Sequence, residues 1–186
     1  MINRKLFLEE ILKSRGNRGD NYCRYSGLDF NFDWCAIFTS YIMREVAGIK
    51  DFPKSTSCTQ IKKSPFAKPK LNKDFKTAEV GDVILFEFNN PIDGPDHIGI
   101  VVENNHGIIS ILEGNTGNND SNKSYVSVYT YSVDNTALDY IIDMSSYFTD
   151  ENIQKEENST KSTTSTEAEL REVFRKIKEL LLSVEI

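Results

Sequence analysis

Two apolar runs separated by a short polar turn constrain the fold of this chain more than any other feature. The first run is HIGIVVE, His97–Glu103, and the second is IISILEG, Ile108–Gly114. Between them lies Asn104–Gly107, whose residue types favour a tight turn. Two strands joined by so short a turn must pair antiparallel. Three further strand signals lie at residues 81–88, 126–131 and 140–142.

Helical signals precede these strands. An amphipathic helix is predicted at the N-terminus; its apolar positions include Leu6, Ile11 and Leu12. A second helix is predicted from Asp33, as its N-cap, to about Val46, with Gly48 as its stop signal, and residues 55–63 predict a short third one. Helices followed by strands, without βαβ alternation, indicate an α+β domain in which N-terminal helices pack on an antiparallel β-sheet.

Composition changes near residue 150. Every glycine and proline, and every aromatic residue but Phe174, precedes it. We therefore expect one domain over residues 1–150, a polar flexible linker at 151–166 and an amphipathic C-terminal helix at 167–186. The apolar stripe of that helix comprises Leu170, Val173, Phe174, Ile177, Leu180, Leu181 and Val184. Such a stripe must be buried, either against the chain's own domain or by self-association.

Charge and hydropathy exclude some classes of function. The net charge of −6 argues against an electrostatic nucleic-acid partner. No stretch approaches 18 consecutive apolar residues, so we expect no membrane span. Glu9 and Glu10 interrupt the first apolar run, so we expect no signal peptide and export by another route. The three cysteines are an odd number without zinc-ligand spacing, which favours a free thiol, although free cysteine is also common as a small buried residue.

Cys35 and His97 are the candidates for nucleophilic chemistry. Cys35 falls in the first turn of the predicted second helix, where unpaired amides and the helix dipole stabilise a thiolate. His97 begins a strand after a polar loop and is a candidate general base, whereas His106 lies in the turn, where a solvated histidine is the simpler interpretation. The antiparallel hairpin brings Glu113 back toward His97, within reach to orient the imidazole. Asn115 follows in the same segment and is either a further site residue or ordinary turn chemistry.

Four segments in this order resemble the cysteine- and histidine-dependent amidohydrolase/peptidase (CHAP) domain, a papain-like relative of NlpC-type cell-wall peptidases. The segments are Asp33–Phe38, Gly81–Phe86, His97–Val101 and Glu113–Thr116, and the resemblance covers roughly residues 20 to 145. It implies a papain-like fold, with Cys35 as nucleophile, His97 as base, Glu113 as the residue that orients His97, and Asn115 as a further polar member of the site. Aromatic residues are candidate groove walls, with core packing as the alternative: Trp34, Tyr22, Tyr25 and Phe32.

The resemblance also implies a substrate. It points to hydrolysis of a peptidoglycan amide, by an N-acetylmuramoyl-L-alanine amidase or a stem or cross-bridge endopeptidase, and leaves that choice open. With no signal peptide expected, it favours a phage or prophage endolysin made in the cytoplasm and acting on the wall after release, over a bacterial autolysin or secreted effector. The rivals are a protein deamidase or transglutaminase-like toxin and a non-catalytic wall-binding module.

Thiol chemistry of this kind requires neither a cofactor nor a metal. Some members of the family bind calcium through a carboxylate loop ahead of the cysteine. Here Asp29, Asn31 and Asp33 alternate, but Trp34 replaces the glycine of such loops and Asp33 is explained as a helix cap. We therefore expect no metal site.

Overall fold

The computed structural model describes residues 1–28, 32–88, 94–118 and 120–150. The α-helices in these ranges are α1 (Arg4–Leu12), α2 (Asp20–Ser26), α3 (Cys35–Tyr41) and α4 (Cys58–Lys63). The strands are β1 (Ile2–Asn3), β2 (Leu71–Asn72), β3 (Val83–Phe86), β4 (His97–Asn105), β5 (Ile108–Thr116), β6 (Tyr125–Ser132), β7 (Leu138–Ile142) and β8 (Phe148–Thr149). The predicted linker at 151–166 and C-terminal helix at 167–186 lie outside the described residues.

Six strands form one antiparallel sheet in the order β2-β7-β3-β4-β5-β6, and β1 pairs parallel with β8. The described chain is therefore a mixed α+β structure with a mostly antiparallel sheet, as the order of sequence signals predicted. Strands β3, β4 and β5 lie in the middle of the sheet and carry the most continuously buried residues.

The β4–β5 hairpin closes through a two-residue turn. Asn105 pairs with Ile108, and between them His106 and Gly107 have φ of 50° and 88°. Two consecutive positive φ values are typical of a type I′ turn, which matches the twist of the flanking strands. His106 is exposed in this turn, as predicted.

Helix α3 is central to the core because it is buried on all sides. Every residue from Cys35 to Ser40 is buried, and the helix packs on β4 and β5. Gly114 of β5 allows this close approach: a Cβ atom there would lie 2.7 Å from Cβ of Phe38 and from Cζ3 of Trp34. A π-helical segment, Ile42–Val46, extends the helix, and Gly48, with φ of 76°, follows it as the predicted stop.

One local prediction about the helices is wrong, and another is right only in part. Asp33 does not cap α3; the helix begins at Cys35 with Trp34 in the N-cap position, and the carboxylate of Asp33 accepts hydrogen bonds from distant side chains instead. In α1 the buried positions are Phe7 and Ile11, whereas Leu6 is exposed. Helix α2 had no clear sequence signal; it ends at Ser26 and is followed by Gly27, whose φ of 72° favours glycine.

The described ranges contain no helix with the combination of length and apolar character that crossing a bilayer would need.

Candidate active site

Cys35 is the first residue of α3 and lies almost entirely inside the protein. Its side chain is part of the main apolar cluster, and only 5% of the residue is exposed. At this position the main-chain amides of the first helical turn point away from the helix and stabilise negative charge nearby. The local fold thus places a thiol where its anionic form is favoured.

His97 is the first residue of β4 and is held by a carboxylate of the next strand. Its Nε2 atom lies 2.8 Å from Oε2 of Glu113, which is itself buried. The hairpin prediction that these two side chains come within hydrogen-bond distance is therefore confirmed. The rings of Phe86 and Phe88 flank the imidazole, with centroids 5.6 and 6.1 Å from that of His97.

The strand register explains how Glu113 reaches His97. Glu113 pairs with Gly99, not with His97, so its side chain must extend diagonally along β4 to contact a residue two positions away. Residues i and i+2 of a strand share a face, so His97 and Gly99 lie on the same side of the sheet. Position 99 has no side chain, and that space is what the carboxylate of Glu113 crosses.

The thiol of Cys35 and the imidazole of His97 interact and shift each other's pKa. Burial alone would lower the pKa of His97, but the Cys35 thiolate and the Glu113 carboxylate outweigh burial and raise it to about 10. The pKa of Cys35 falls below the ordinary range of a thiol: a hydrogen bond from Cys58 is the largest cause, burial opposes it, and His97 adds to the lowering. Because Nε2 of His97 is bonded to Glu113, Nδ1 is the nitrogen left for Cys35. The arrangement favours a thiolate–imidazolium pair near neutral pH.

Cys58 is a member of the site that the sequence interpretation missed. It begins α4, is buried, and its Sγ lies 3.7 Å from Sγ of Cys35. The adjacent thiolate and burial raise the pKa of Cys58, so it remains a protonated donor to Cys35. Ser57, whose hydroxyl accepts a hydrogen bond from the amide of Gln60, is a helix-cap signal that would have placed Cys58 at a helix start.

Asn115 supports the segment ahead of the nucleophile. Its Nδ2 donates to Oδ1 of Asp33 at 3.0 Å, and its Oδ1 accepts from the hydroxyl of Ser124 at 2.7 Å. It adopts φ of 62°, a left-handed conformation that asparagine tolerates better than most residues. These bonds join Asn115 to the residue two positions before Cys35, so we assign it to positioning rather than to contact with His97.

Trp34 does not line a groove, in contrast to the sequence expectation. It is completely buried, stacks on Tyr22 with ring centroids 5.5 Å apart, and donates from Nε1 to Oγ of Ser124 at 3.0 Å. The indole of Trp34, directly before Cys35, therefore anchors the start of α3 in the core. The ring of Phe88, whose centroid lies 6.1 Å from that of His97, is 48% exposed and can contact a ligand; Phe32, three residues before Cys35 in the sequence, is 53% exposed.

Tyr131 of β6 is a second neighbour that the sequence did not indicate. Burial, together with the nearby charge of Glu113, raises the pKa of Tyr131. Its ring packs on Phe86, with centroids 5.1 Å apart. Tyr131 therefore places a neutral hydroxyl near the carboxylate of Glu113.

The calcium segment considered in the sequence lies only partly within the described residues. Asp29 and Asn31 are outside them, and the carboxylate of Asp33 accepts hydrogen bonds from Asn115 and Ser121. Across the described ranges, no three His, Cys, Asp or Glu side chains are grouped as metal ligands.

The site thus brings together a polarised thiol, an imidazole and a carboxylate, with a second thiol behind the first. Comparisons of the chain with protein-family models, with curated proteins and with solved structures found no match. The assignment of a function therefore depends on the chemistry of Cys35, His97 and Glu113.

Proposed function

We propose that this chain is a cysteine amidohydrolase or peptidase that hydrolyses an amide bond of bacterial peptidoglycan, on a papain-like scaffold of the CHAP and NlpC type. One observation carries the proposal: the 2.8 Å hydrogen bond between His97 and Glu113, next to a thiol at the start of a buried helix. A cysteine that only packs in the core needs no histidine beside it, and a histidine that only begins a strand needs no buried carboxylate bound to it. The three together are the groups that nucleophilic thiol catalysis requires.

In the first half of the reaction the Cys35 thiolate attacks the carbonyl carbon of the amide. The main-chain N–H of Cys35, at the first turn of α3, is the natural donor to the oxyanion that develops. The His97 imidazolium then donates its proton to the nitrogen of the leaving amine, and the C–N bond breaks to give a thioester with Cys35. Glu113 stabilises the charged imidazole and fixes its orientation throughout.

In the second half, water hydrolyses the thioester. Neutral His97 takes a proton from the water, the resulting hydroxide attacks the acyl carbon, and the thiolate of Cys35 leaves. The products are a free carboxylic acid and a free amine, and the site returns to its thiolate–imidazolium state.

The substrate class comes from the resemblance of the four segments to cell-wall hydrolases, and the surroundings of His97 are compatible with it. The exposed ring of Phe88 lies beside the imidazole and offers an apolar wall to a peptide or sugar. The choice between an amidase and an endopeptidase depends on the groove, so both remain within the proposal. An endolysin of phage or prophage origin, released onto the wall after cytoplasmic synthesis, is the biological role we favour.

Wall affinity must come from specific contacts. A net charge of −6 gives little attraction to an anionic envelope, so non-specific electrostatics do not hold the protein on its substrate. Self-association through residues 167–186 would supply avidity without new contacts to the wall.

A turbidity assay on purified cell walls tests the proposal, with Cys35→Ala as the inactive variant. The full chain should clear the suspension, and mass spectrometry should show new pairs of free amine and carboxylic acid. Cys23→Ala is the matched control because Cys23 is equally buried but lies on α2, and it should retain activity.

Two other outcomes would replace the proposal. Binding to walls without new amines would favour the wall-binding module. Release of ammonia from a protein glutamine, with intact walls, would favour the deamidase.

A further inference from the structure

The mechanism above assigns no covalent role to Cys58, although its sulfur is in contact with the nucleophile. The two Sγ atoms are 3.7 Å apart, and each cysteine is the first residue of its helix. A disulfide requires an S–S distance of about 2.05 Å, so side-chain rotation with a small approach of the two helix starts would bring the sulfurs within bonding distance. Two buried thiols this close, beside the imidazole of His97, have sulfurs from which a disulfide can form.

We propose that Cys35 and Cys58 are a site of reversible oxidation, in which a hydroperoxide oxidises Cys35 and Cys58 resolves the product as a disulfide. The proposal rests on the proposed function only in taking Cys35 as the reactive thiolate of the site; the disulfide itself does not depend on which substrate the protein cleaves.

The first step needs a thiolate and a small oxidant. Cys35 supplies the thiolate, because Cys58 and His97 both hold its charge. The two cysteines are only 5% and 6% exposed, so a compact oxidant such as hydrogen peroxide or a short alkyl hydroperoxide reaches the sulfur of Cys35 most readily. The sulfur attacks the terminal peroxide oxygen, an S–O bond forms, the O–O bond breaks, and the leaving oxygen takes a proton to become water or an alcohol.

The second step follows from the first because oxidation removes the charge that kept Cys58 protonated. The hydrogen bond to the Cys35 thiolate is the main cause that raises the pKa of Cys58, and a neutral sulfenic acid no longer provides it. Cys58 then loses its proton and attacks Sγ of Cys35; an S–S bond forms, the S–O bond breaks, and hydroxide leaves with the proton as water. In total, two thiols and one hydroperoxide give one disulfide, one water and one water or alcohol.

The disulfide protects the nucleophile from irreversible oxidation and switches hydrolysis off. A sulfenic acid without a nearby thiol proceeds to sulfinic and sulfonic acids, which ordinary thiols do not reduce. A disulfide with Cys58 stops that progress, and a dithiol reductant restores both thiols. Cys23 takes no part, because burial raises its pKa and keeps it as an unreactive thiol on α2.

The experiment is a peptide map of the full chain after treatment with one equivalent of hydrogen peroxide. Trypsin places the three cysteines on separate peptides, residues 19–24, 25–44 and 55–62. Without reduction we expect peptides 25–44 and 55–62 as one species, lighter than their sum by two hydrogen atoms, with Cys23 still open to alkylation after unfolding. Dithiothreitol should restore the separate peptides.

Variants make the result decisive. Cys23→Ser should give the same crosslink, whereas Cys58→Ser should form sulfenic acid at Cys35 with the first equivalent and, after a second equivalent of hydrogen peroxide, sulfinic acid that dithiothreitol does not reverse. Sulfinic acid at Cys35 of the unmodified chain, with Cys58 still free, would overturn the proposal, as would a crosslink that includes Cys23. The peptide map needs no substrate, so the two proposals are tested separately. If the protein forms the crosslink but does not clear walls, the redox pair is supported and only the hydrolase assignment is contradicted.

Discussion

Gly99 lies directly opposite Glu113 in the β4–β5 pair, and a Cβ atom at position 99 would come within 2.8 Å of Cγ of Glu113. His97, which the carboxylate binds, is two residues earlier in β4. Diagonal neighbours on an antiparallel pair are about 7–8 Å apart, so the side chain of Glu113 must lean across position 99 to make its bond. The missing side chain of Gly99 is therefore part of what holds the imidazole.

Gly99→Ala should uncouple Glu113 from His97. The new methyl group would also lie 2.5 Å from Cγ2 of Ile111, so we expect a loss of about 1–3 kcal/mol in the free energy of unfolding. The pKa of His97 should fall, because the carboxylate that raises it is displaced. NMR titration of the imidazole signals measures this directly, since the chain has two histidines.

Gly81→Ala is the matched control for that substitution. Its methyl group would meet the ring of Phe148 at 2.7 Å and no atom of Glu113, Cys35 or His97, so stability should fall while the pKa of His97 stays high. Equal pKa values of His97 in the native protein and in Gly99→Ala would contradict the role given to Gly99.

Glu113→Gln should move the alkaline limit of activity to lower pH. The thiolate–imidazolium pair persists until the pH rises through the pKa of His97, which is about 10 in the presence of the carboxylate. A neutral amide keeps the size of the side chain but removes its charge, so the imidazolium loses its proton at lower pH. The measurement is kcat/KM on a soluble wall fragment as a function of pH.

The corresponding control is Glu103→Gln, an exposed carboxylate on β4 whose Oε2 accepts from Ser110. Its pH profile should match that of the unchanged chain. An alkaline limit that stays in place in Glu113→Gln would show that the carboxylate does not hold the charge of His97.

Cys58→Ala should make Cys35 a weaker acid. The hydrogen bond from Cys58 is the largest cause of the lowered pKa of Cys35, so its loss shifts thiolate formation to higher pH. Cys58→Ser restores a donor and should recover most of the effect. The rate of iodoacetamide alkylation of peptide 25–44, followed against pH, reports the thiolate; identical profiles for the alanine variant and the unchanged chain would rule out this contribution.

Local pattern explains why part of the site was predictable. Alternation and turn residues place His97 and Glu113 on neighbouring strands, and the predicted helix, although it was expected to be capped by Asp33, has Cys35 in its first turn. The contact of Cys35 with Cys58 depends instead on the packing of α3 beside α4, for which neither helix carries a local signal. The prediction that Asp33 caps the helix was wrong for a similar reason. Its carboxylate accepts hydrogen bonds from Asn115 and Ser121, which are distant in sequence.

The α+β class with its antiparallel sheet followed from the order of helices and strands, because antiparallel pairing needs only short connections. The register of the β4–β5 pair could not be predicted from the sequence, because the pairing shifts between Val101 and Glu103. Counting residues from the turn places Glu113 close to His97, but only the observed register shows that Gly99 is the residue directly opposite. The burial of Trp34 likewise depends on tertiary packing. From the sequence, an aromatic residue before a cysteine is as compatible with the wall of a groove as with the core.

Asp82 should give the fold a distinct dependence on pH. Its two carboxylate oxygens accept from the amides of Glu79 and Met144 at 2.9 and 2.8 Å, yet burial raises its pKa to about 6. The unfolded value is about 3.9, so between these limits the folded state binds more protons than the unfolded state. The free energy of unfolding therefore falls as pH rises through this window, by up to about 1.4 kcal/mol per pH unit, and levels off above it.

Asp82→Asn removes this titration, and it replaces one of the two acceptor oxygens with an amide group that cannot accept a main-chain N–H. Urea unfolding of both proteins between pH 4 and 7 should show a stability difference that changes with pH. Asp134→Asn, at an exposed position after β6, should run parallel to the unchanged chain. Parallel curves for Asp82→Asn as well would mean that Asp82 does not titrate in this range.

The bond from Trp34 to Ser124 spans 90 positions of the chain, and that from Asn115 to Asp33 spans 82. Contacts so far apart in sequence form only after a long loop has closed. During synthesis from the N-terminus, Cys35 emerges well before the residues that anchor the start of its helix have been joined to the chain. A ribosome-bound fragment that stops short of Ser124 thus carries the thiol without its supports, so the order of synthesis itself delays assembly of the site until residue 124 has been joined to the chain.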